Sequence, residues 1–390
     1  MTGTALAWLG QGPVPRTSFC VTFVRGMTQS EVLAGFGADP EEAAARTLEQ
    51  AITAESSWQE GYGPFVRVGR SGGWLFAWEE ASFEGARPEV LRRVSRGGEA
   101  MVVRHALDAF AEFGYAADGV VVSHVVTIPP YRRTGSDPDR FLALLRQVGL
   151  DFGAIQHRDE DPVLGDLEAV LMVAERAVDL SLSPQQVEGP WPSARILPLL
   201  EDLPAPDRDT AWQFSIGDPV IDLLVRHASG QTVTSLVAGQ SRVLLEETGL
   251  AGDAELAGAV QAAAEGRHHA VTDEEPLGLL LRRLGRERYE AERDSLTGPA
   301  REWIPPEQRH SRAVRAAAVR PLRAVLAEGG LWALAEILVH RRQWAGLGWR
   351  EQVLASLRPV KVPEEQLREA EQRWLDQAAT PTGEIQSPEN

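Results

Sequence analysis

Hydrophobic side chains recur with a period of two in several short segments of the first half of the chain. In residues 18–26, SFCVTFVRG, the side chains of Phe19, Val21 and Phe23 lie two residues apart. This spacing places them on one face of an extended segment, which predicts a strand. The same reasoning predicts strands over 65–70, 73–80, 99–105, 107–116 and 119–128.

Helical periodicity and helix end signals lie between these strands. Thr28 and Glu31 form the Thr-x-x-Glu sequence of a capping box, which predicts that a helix begins there. Pro40 stands at a favoured first-turn position of a helix predicted over 39–55. Three further helices are predicted: 87–98 with Gly97 as its stop, 136–149 capped by Ser136 or Asp137, and 164–178.

The connections between the predicted strands are mainly hairpins. Ser71-Gly72 separates two of the strands, and Asp118-Gly119 is a strong two-residue hairpin signal between two others. Helices are inserted among the strands without alternating strictly with them, which favours an antiparallel sheet over a doubly wound parallel one. The predicted fold class is α+β: a mostly antiparallel N-terminal sheet with packed helices, followed by an all-α helical domain.

The second half of the chain shows only helical periodicity. Residues 189–209 contain five prolines and predict a linker between two domains. The predicted organisation is an α+β domain over 1–188, the linker, a helical domain over 210–377 and a disordered tail over 378–390. Helices are predicted within 218–228, 233–248, 254–269, 275–292, 311–328, 331–345 and 350–357.

Composition and charge narrow the classes of partner. Cys20 is the only cysteine, which excludes an intramolecular disulfide and a cysteine-based zinc site and indicates a reducing cytoplasm. The N-terminus lacks the basic segment of a signal peptide, and Glu336 interrupts the most apolar late stretch. The net charge of −17 repels phosphate and anionic lipid, so neither nucleic acid nor a membrane is an expected partner.

Residues 69–73, GRSGG, fit the G-x-S-x-G pattern of a hydrolase nucleophile. A nucleophile elbow needs a helix after the serine. The residues after Ser71 instead carry aromatic side chains with a period of two, which is typical of a strand. We therefore interpret the glycines as hairpin residues and Ser71 as part of a turn.

Trp74, Phe76 and Trp78 form an aromatic stripe on one face of the strand that follows. Such a stripe is usually core beneath a packed helix. The alternative is an exposed platform for a ligand or partner, since tryptophan is enriched at binding hot spots, and the three residues are retained as candidate binding residues. Glu79 and Glu80 are either acids of a site or a solvated strand end.

Histidine offers little metal chemistry, and no cofactor is expected. His157, Asp159 and Asp161 lie two residues apart and would present three ligands on one side of an extended segment, although such acidic loops usually only solvate a connection. His268 and His269 are adjacent and point apart on a helix. Glu336 and His340 lie four residues apart, which favours an ordinary intrahelical pair.

Arginines concentrate in the segment YRRTGSDPDR, residues 131–140. Arg132, Arg133 and Arg140 stand beside a predicted helix start, where guanidinium groups and free backbone amides would hold an anion. The alternative is that local ion pairs with the aspartates of the same segment neutralise them. Arg132 and Arg133 are retained as candidate binding residues.

The first half of the chain resembles an uncharacterised actinobacterial family, one of the domains of unknown function common in Streptomyces-like genomes. The resemblance covers roughly residues 15–190 and rests on 19–40, 66–80, 87–103, the arginine segment and the helix LEAVLMVAERAVDLSLSPQQVEG. It implies no known activity and no catalytic residues. Proteins of this kind resemble those encoded beside immunity and regulatory proteins.

These features predict a non-enzymatic cytoplasmic protein that binds another protein, in an immunity- or antitoxin-like role, with a basic partner suited to its acidity. The alternative is a small-molecule hydrolase or transferase with its site between the hairpin sheet and the arginine segment, Glu79 or Glu80 acting as base and Arg132 or Arg133 as anion clamp. A third interpretation is a scaffold that self-associates through its helical half. A concave pocket with perturbed carboxylates near the arginines would favour the enzyme.

Overall fold

The computed structural model describes residues 6, 8–11, 18–56, 63–80, 82–106, 111–127, 132–150, 165–178, 180–203, 215–292, 305–346 and 348–379. Within these ranges nine strands form one sheet, and every pair is antiparallel. The strands are β1 (Phe19–Arg25), β2 (Ala44–Arg46), β3 (Phe65–Ser71), β4 (Trp74–Glu79), β5 (Glu99–His105), β6 (Ala111–Ala117), β7 (Val120–Val126), β8 (Arg132–Thr134) and β9 (Trp191–Arg195).

The strands lie in the order β2-β9-β3-β4-β1-β5-β6-β7-β8. β1 pairs with β4 on one side and β5 on the other, so that Cys20 lies between Glu79 and Arg104. Strands β1 and β4 are buried on both faces. This central position explains why their side chains are apolar in both alternating sets.

The two faces of the sheet carry different side chains. One face, here called the aromatic face, is covered by α5 (Leu142–Gln147) and α6 (Gly165–Val178). Its core includes Phe19, Phe23, Phe76, Trp78, Met101 and Phe113. The other face, here called the aliphatic face, is covered by α2 (Gln29–Gly35), α4 (Pro88–Val94) and the 3₁₀ helix Glu84–Ala86. Its core includes Val24, Val66, Val68, Leu75 and Val102.

Several local predictions are confirmed. Thr28 and Glu31 make both hydrogen bonds of the capping box at the start of α2. Asp118 and Gly119 adopt φ angles of 49° and 79° in the loop between β6 and β7, as a type I′ hairpin requires. The predicted fold class, an antiparallel α+β sheet unit followed by helices, is also confirmed.

The helix predicted over 39–55 is wrong as a single element. Pro40–Glu42 is a short 3₁₀ helix, Ala44–Arg46 is strand β2, and α3 (Leu48–Ser56) follows. Ala44 pairs with Ser193 of β9, which draws this stretch into the sheet. A second capping box then starts α3: Thr47 Oγ1 accepts from the Gln50 amide at 3.3 Å, and the Gln50 side chain accepts from the Thr47 amide at 2.9 Å.

Part of the segment predicted as a linker belongs to the sheet. Trp191–Arg195 forms β9 between β2 and β3, after the short helix α7 (Pro184–Glu188). The chain forms two compact units, residues 1–199 and 200–390. A fragment that ends at residue 188, the predicted end of the α+β domain, would therefore lack an interior strand.

The predicted helix over 136–149 is shorter than expected and lacks a side-chain cap. α5 begins at Leu142. The backbone amides of Ser136 and Asp137 instead donate to the carbonyls of Val121 and Val122 on β7, at 3.1 and 2.8 Å. These two residues therefore continue the sheet hydrogen bonding and do not start the helix. The unit also contains the short helix α1 (Trp8–Gln11).

Residues 200–390 form an all-helical unit in their described part. Its helices are α8 (Pro219–His227), α9 (Gly230–Glu247), α10 (Ala254–Ala264), α11 (Pro276–Glu292), α12 (Pro306–Ala327), α13 (Gly330–Trp344), α14 (Trp349–Leu357) and α15 (Glu364–Ala379). The sequence did not indicate α15, which packs against α8. Residues 378 and 379 of the predicted tail belong to α15, and 380–390 lie outside the described residues. No helix in the described ranges has the length and apolarity that crossing a bilayer requires.

Candidate functional site

A pocket of about 300 Å³ opens on the aromatic face of the sheet, where β1 ends and β5 begins. Arg25 on β1 and Glu99 on β5 lie directly opposite each other in the strand pairing. Tyr115 enters from β6, and Arg140 and Phe141 precede α5. Ala177 and Val178, the last residues of α6, complete the lining. The volume is at the lower end of the range of about 300–1,000 Å³ for ligand pockets.

Arg25 and Glu99 form an ion pair at one side of this pocket. The Arg25 Nη2 atom lies 2.5 Å from Glu99 Oε1, with half of the Arg25 side chain exposed. The Arg25 guanidinium also lies 4.9 Å from the centre of the Trp74 ring, which holds it against the sheet. Burial, and secondly the negative charge of Glu99, raise the pKa of Tyr115, whose hydroxyl is hydrogen-bonded to Glu99.

Arg140 stands on the opposite side with a different set of contacts. Its guanidinium lies 5.2 Å from the centre of the Tyr115 ring and 5.8 Å from that of Phe141. The two rings pack edge to face, 5.3 Å apart. Within the described ranges Arg140 makes these ring contacts, and no hydrogen bond or ion pair engages its guanidinium. The pocket therefore offers a positive group with unused N–H donors.

Ser71 is a hairpin residue, as the sequence indicated. It is the last residue of β3 and pairs with Trp74 across the loop Gly72-Gly73, one residue later than the predicted loop. Gly72 has a φ of 59°, which glycine adopts without strain. The Ser71 hydroxyl donates to the Ser181 carbonyl and accepts from the Gln186 side-chain amide. Strand β4 follows, so the helix that a nucleophile elbow needs is replaced by a strand.

Substitution of Ser71 with alanine is expected to lower the stability of the sheet unit by about 1 kcal/mol and to leave ligand binding unchanged. The buried hydroxyl contributes two hydrogen bonds, one donated and one accepted, and no chemistry. Urea unfolding followed by the methyl NMR signal of Met101, which is buried in β5, measures this loss. The exposed Ser136→Ala is the matched control. Lost binding in a stable Ser71→Ala variant would restore a functional role for the hydroxyl.

The candidate binding residues Trp74, Phe76 and Trp78 lie in the core. Their exposed fractions are 6%, 0% and 1%. Phe76 and Trp78 belong to the packed aromatic face, where the Trp78 ring stacks on Phe19. The exposed platform considered as an alternative therefore does not describe these side chains. Trp74 contributes to the pocket indirectly, because its ring supports Arg25.

Glu79, one of the two candidate bases, is fully buried at the far end of β4. Its carboxylate accepts hydrogen bonds from the Ser82 hydroxyl at 2.6 Å and from the amides of Glu84 and Gly85 at 2.8 Å each. Burial raises the pKa of Glu79 to about 7 in spite of these donors. The carboxylate thus holds the segment after β4 onto the sheet. Glu80 accepts from the Trp78 indole at 2.8 Å.

A polar row crosses the aliphatic face from Glu79. Cys20 lies beside Glu79, and Arg104 and Glu112 occupy the paired positions on the next two strands. Glu112 binds Arg104 at 2.9 Å and His124 at 2.6 Å. Burial opposes ionisation of Glu112, but these two partners together lower its pKa. Burial, and secondly Glu79, raise the pKa of Cys20 well above its usual value, so the thiol is not a nucleophile.

The perturbed carboxylates and the pocket lie apart. Glu79 and Glu112 are on the aliphatic face, and the pocket is on the aromatic face. Cys20, which pairs with Glu79, is five residues from Arg25 along β1, which corresponds to roughly 17 Å. The enzyme alternative needed these carboxylates next to the arginine segment. The geometry does not bring them together.

The arginine segment divides between an edge strand and the pocket. Arg132 and Arg133 lie on β8 at the edge of the sheet. Arg133 pairs with Asp139 at 3.0 Å, which is the local neutralisation considered as an alternative. Arg132 is exposed on the edge strand. Only Arg140 of this segment lines the pocket.

The remaining histidine candidates are separated. His157, Asp159 and Asp161 lie outside the described residues. Glu336 binds Arg320 at 2.8 Å, whereas His340 contacts the Val314 carbonyl at 3.1 Å, so the intrahelical pair expected for them is not formed. Across the described ranges, no cluster of three or more His, Cys, Asp or Glu side chains is arranged to hold a metal ion.

Sequence reasoning missed most of the pocket. Arg25, Glu99 and Tyr115 come from three strands, and only the pairing of β1, β5 and β6 places them together. Phe141 was assigned to a helix. The single signal was the concentration of arginines that includes Arg140.

Residues 5–189 match the model of a family of unknown function (DUF6461). The match includes α1 to α7 and every strand of the sheet except β9. Neither curated proteins nor solved structures gave a match.

Proposed function

We propose that the DUF6461 domain is a non-enzymatic binding module that holds an anionic group of its ligand between Arg25 and Arg140. The observation that carries the proposal is Arg140, whose guanidinium lies at a pocket without an ion pair among the described residues. Arginine binds carboxylate and phosphate oxygens with two parallel hydrogen bonds, so such a group is suited to hold an anion.

Binding without reaction is favoured by the placement of the acidic groups. General acid–base chemistry needs a proton acceptor within hydrogen-bond reach of the ligand. The carboxylates with shifted pKa values, Glu79 and Glu112, lie on the opposite face of the sheet. Glu99, which does line the pocket, is engaged by Arg25.

Substitution of Arg140 with methionine is expected to weaken the binding of small anions by about ten- to hundredfold. Loss of a charged hydrogen-bonding partner costs about 1.5–3 kcal/mol. Thermal-shift titrations with acetate, hexanoate, inorganic phosphate and phenyl phosphate measure the loss, with the exposed edge-strand variant Arg132→Met as the control. Ligand recovered unchanged after incubation would support binding without reaction. If an anion binds Arg140→Met with the same affinity as it binds the native protein, the pocket is excluded as its binding site.

The protein partner expected from the sequence stays part of the proposal. The net charge of −17 would steer a basic protein towards this chain, as an immunity- or antitoxin-like role requires. The single cysteine favours a cytoplasmic location for that role, and the family resemblance favours an actinobacterial cell. Self-association through the helical unit is the remaining prediction, and the mass of the protein in solution by light scattering tests it.

A further inference from the structure

We infer that the Arg25–Arg140 pocket takes a small monoanionic carboxylate. The inference rests on the proposed function and specifies its ligand. Two features of the lining support it: the balance of charge and the unused donors of Arg140.

The charge balance favours a ligand with one negative charge. The lining holds two guanidinium groups and one carboxylate. Glu99 lies 2.5 Å from Arg25 and neutralises it, which leaves the charge of Arg140 unmatched. A carboxylate matches this single charge. A phosphate monoester carries close to two charges at neutral pH and would bring its second charge next to Glu99.

The contacts of Arg140 hold its guanidinium in place without using its donors. The two ring contacts, with Tyr115 at 5.2 Å and Phe141 at 5.8 Å, engage the positive charge. They use none of the five N–H groups, which match the two oxygens of a carboxylate.

The rest of the lining limits the size of the ligand. Phe141, Ala177 and Val178 present a ring, a methyl group and a branched side chain. A volume of about 300 Å³ accommodates a single ring or a short alkyl chain in addition to the acid group.

Calorimetric titration of the full chain with four probes tests the inference. Benzoate and hexanoate combine a carboxylate with a ring or a chain, phenyl phosphate replaces the acid group, and benzyl alcohol removes the charge. We expect both carboxylates to bind at least tenfold more tightly than phenyl phosphate, and benzyl alcohol to give no saturable heat. Arg140→Met should lose at least tenfold in affinity for benzoate, whereas Arg132→Met should retain it.

A second variant tests the space available in the pocket separately from the charge. Ala177→Leu adds three carbon atoms to the lining and is expected to weaken hexanoate binding at least tenfold while acetate binding changes less than twofold. Thermal melting of each variant confirms that it is folded. Phenyl phosphate that binds more tightly than benzoate would overturn the carboxylate inference and leave the proposed function intact. If none of the four probes binds, or if Arg140→Met retains the native affinity for benzoate, both the carboxylate inference and the proposed function are overturned.

Discussion

Glu247→Leu is expected to destabilise the helical unit by about 3–5 kcal/mol, although the Glu247 side chain itself is 30% exposed. The cost arises at its partner, Arg341, which is completely buried. The Arg341 guanidinium donates to both carboxylate oxygens of Glu247, at 2.9 and 2.6 Å. Removal of the carboxylate leaves the buried charge of Arg341 without its counter-charge, and this accounts for most of the expected loss in the free energy of unfolding.

Arg341 connects three helices, so the destabilisation caused by Glu247→Leu should extend to more than one of them. It lies on α13, Gln240 and Glu247 lie on α9, and Gln352 lies on α14. The guanidinium donates to the side-chain oxygen of Gln240 and, at 2.8 Å, to that of Gln352. Hydrogen exchange measured by mass spectrometry on peptides from α9 and α13 should show faster opening of both helices in the variant.

Two further variants sharpen this prediction. Glu246→Leu changes the neighbouring, exposed glutamate and should alter stability by less than about 0.5 kcal/mol. The double variant Glu247→Leu with Arg341→Met removes both charges and should recover most of the loss, because a buried ion pair and an apolar pair of similar volume are often comparable. A double variant as unstable as Glu247→Leu would show that packing, and not the unpaired charge, controls this junction.

Local signals allowed much of the sheet unit to be predicted. The capping box at Thr28 and the Asp118-Gly119 turn depend on residues within three or four positions of each other, and both are confirmed. The period of two in the segment after Gly73 likewise distinguishes a hairpin from a nucleophile elbow, and β3 and β4 do form that hairpin. Such features are encoded where they occur, so a short stretch of sequence is enough to recognise them.

The secondary-structure predictions were wrong where a pairing strand distant in sequence determines the local structure. Ala44–Arg46 has the composition of a helix and becomes a strand because β9 lies beside it, almost 150 residues later in the chain. Residues 191–195 contain Pro192 and resemble a linker, yet they form an interior strand. Proline is tolerated there at the short pairing with β2, where Pro192 lies opposite Ala45.

The pocket shows the same limit for function. Arg140 was found because arginines concentrate around it, whereas Arg25 carries no signal as the last residue of a strand. It acquires a role only when strand pairing places it opposite Glu99 and beside Trp74. A single sequence does not encode that register in any short motif. The aromatic stripe was visible for the opposite reason, because burial in a core leaves a strong periodic pattern.

The stability of the sheet unit is expected to fall as the pH rises from about 5 to 8, by on the order of 3 kcal/mol, because of Glu79. Burial raises the pKa of Glu79 from 4.5 to about 7 in the folded protein. Between these values the folded state holds a proton that the unfolded chain releases. The stabilisation from this proton is therefore complete below about pH 4.5 and is lost as the pH rises through 7.

Glu79→Gln should abolish this pH dependence, whatever its effect on stability at a single pH, because the amide does not titrate. Urea unfolding of the full chain at pH 5, 6, 7 and 8, followed by the Met101 methyl signal, measures the slope for the sheet unit. Glu42→Gln, at an exposed position, should retain the native slope and thereby shows that the loss of the slope is specific to Glu79. Equal slopes in the native protein and Glu79→Gln would show that Glu79 is ionised in the folded state. In that case the three donors around its carboxylate outweigh its burial, and the polar row starts from a buried anion.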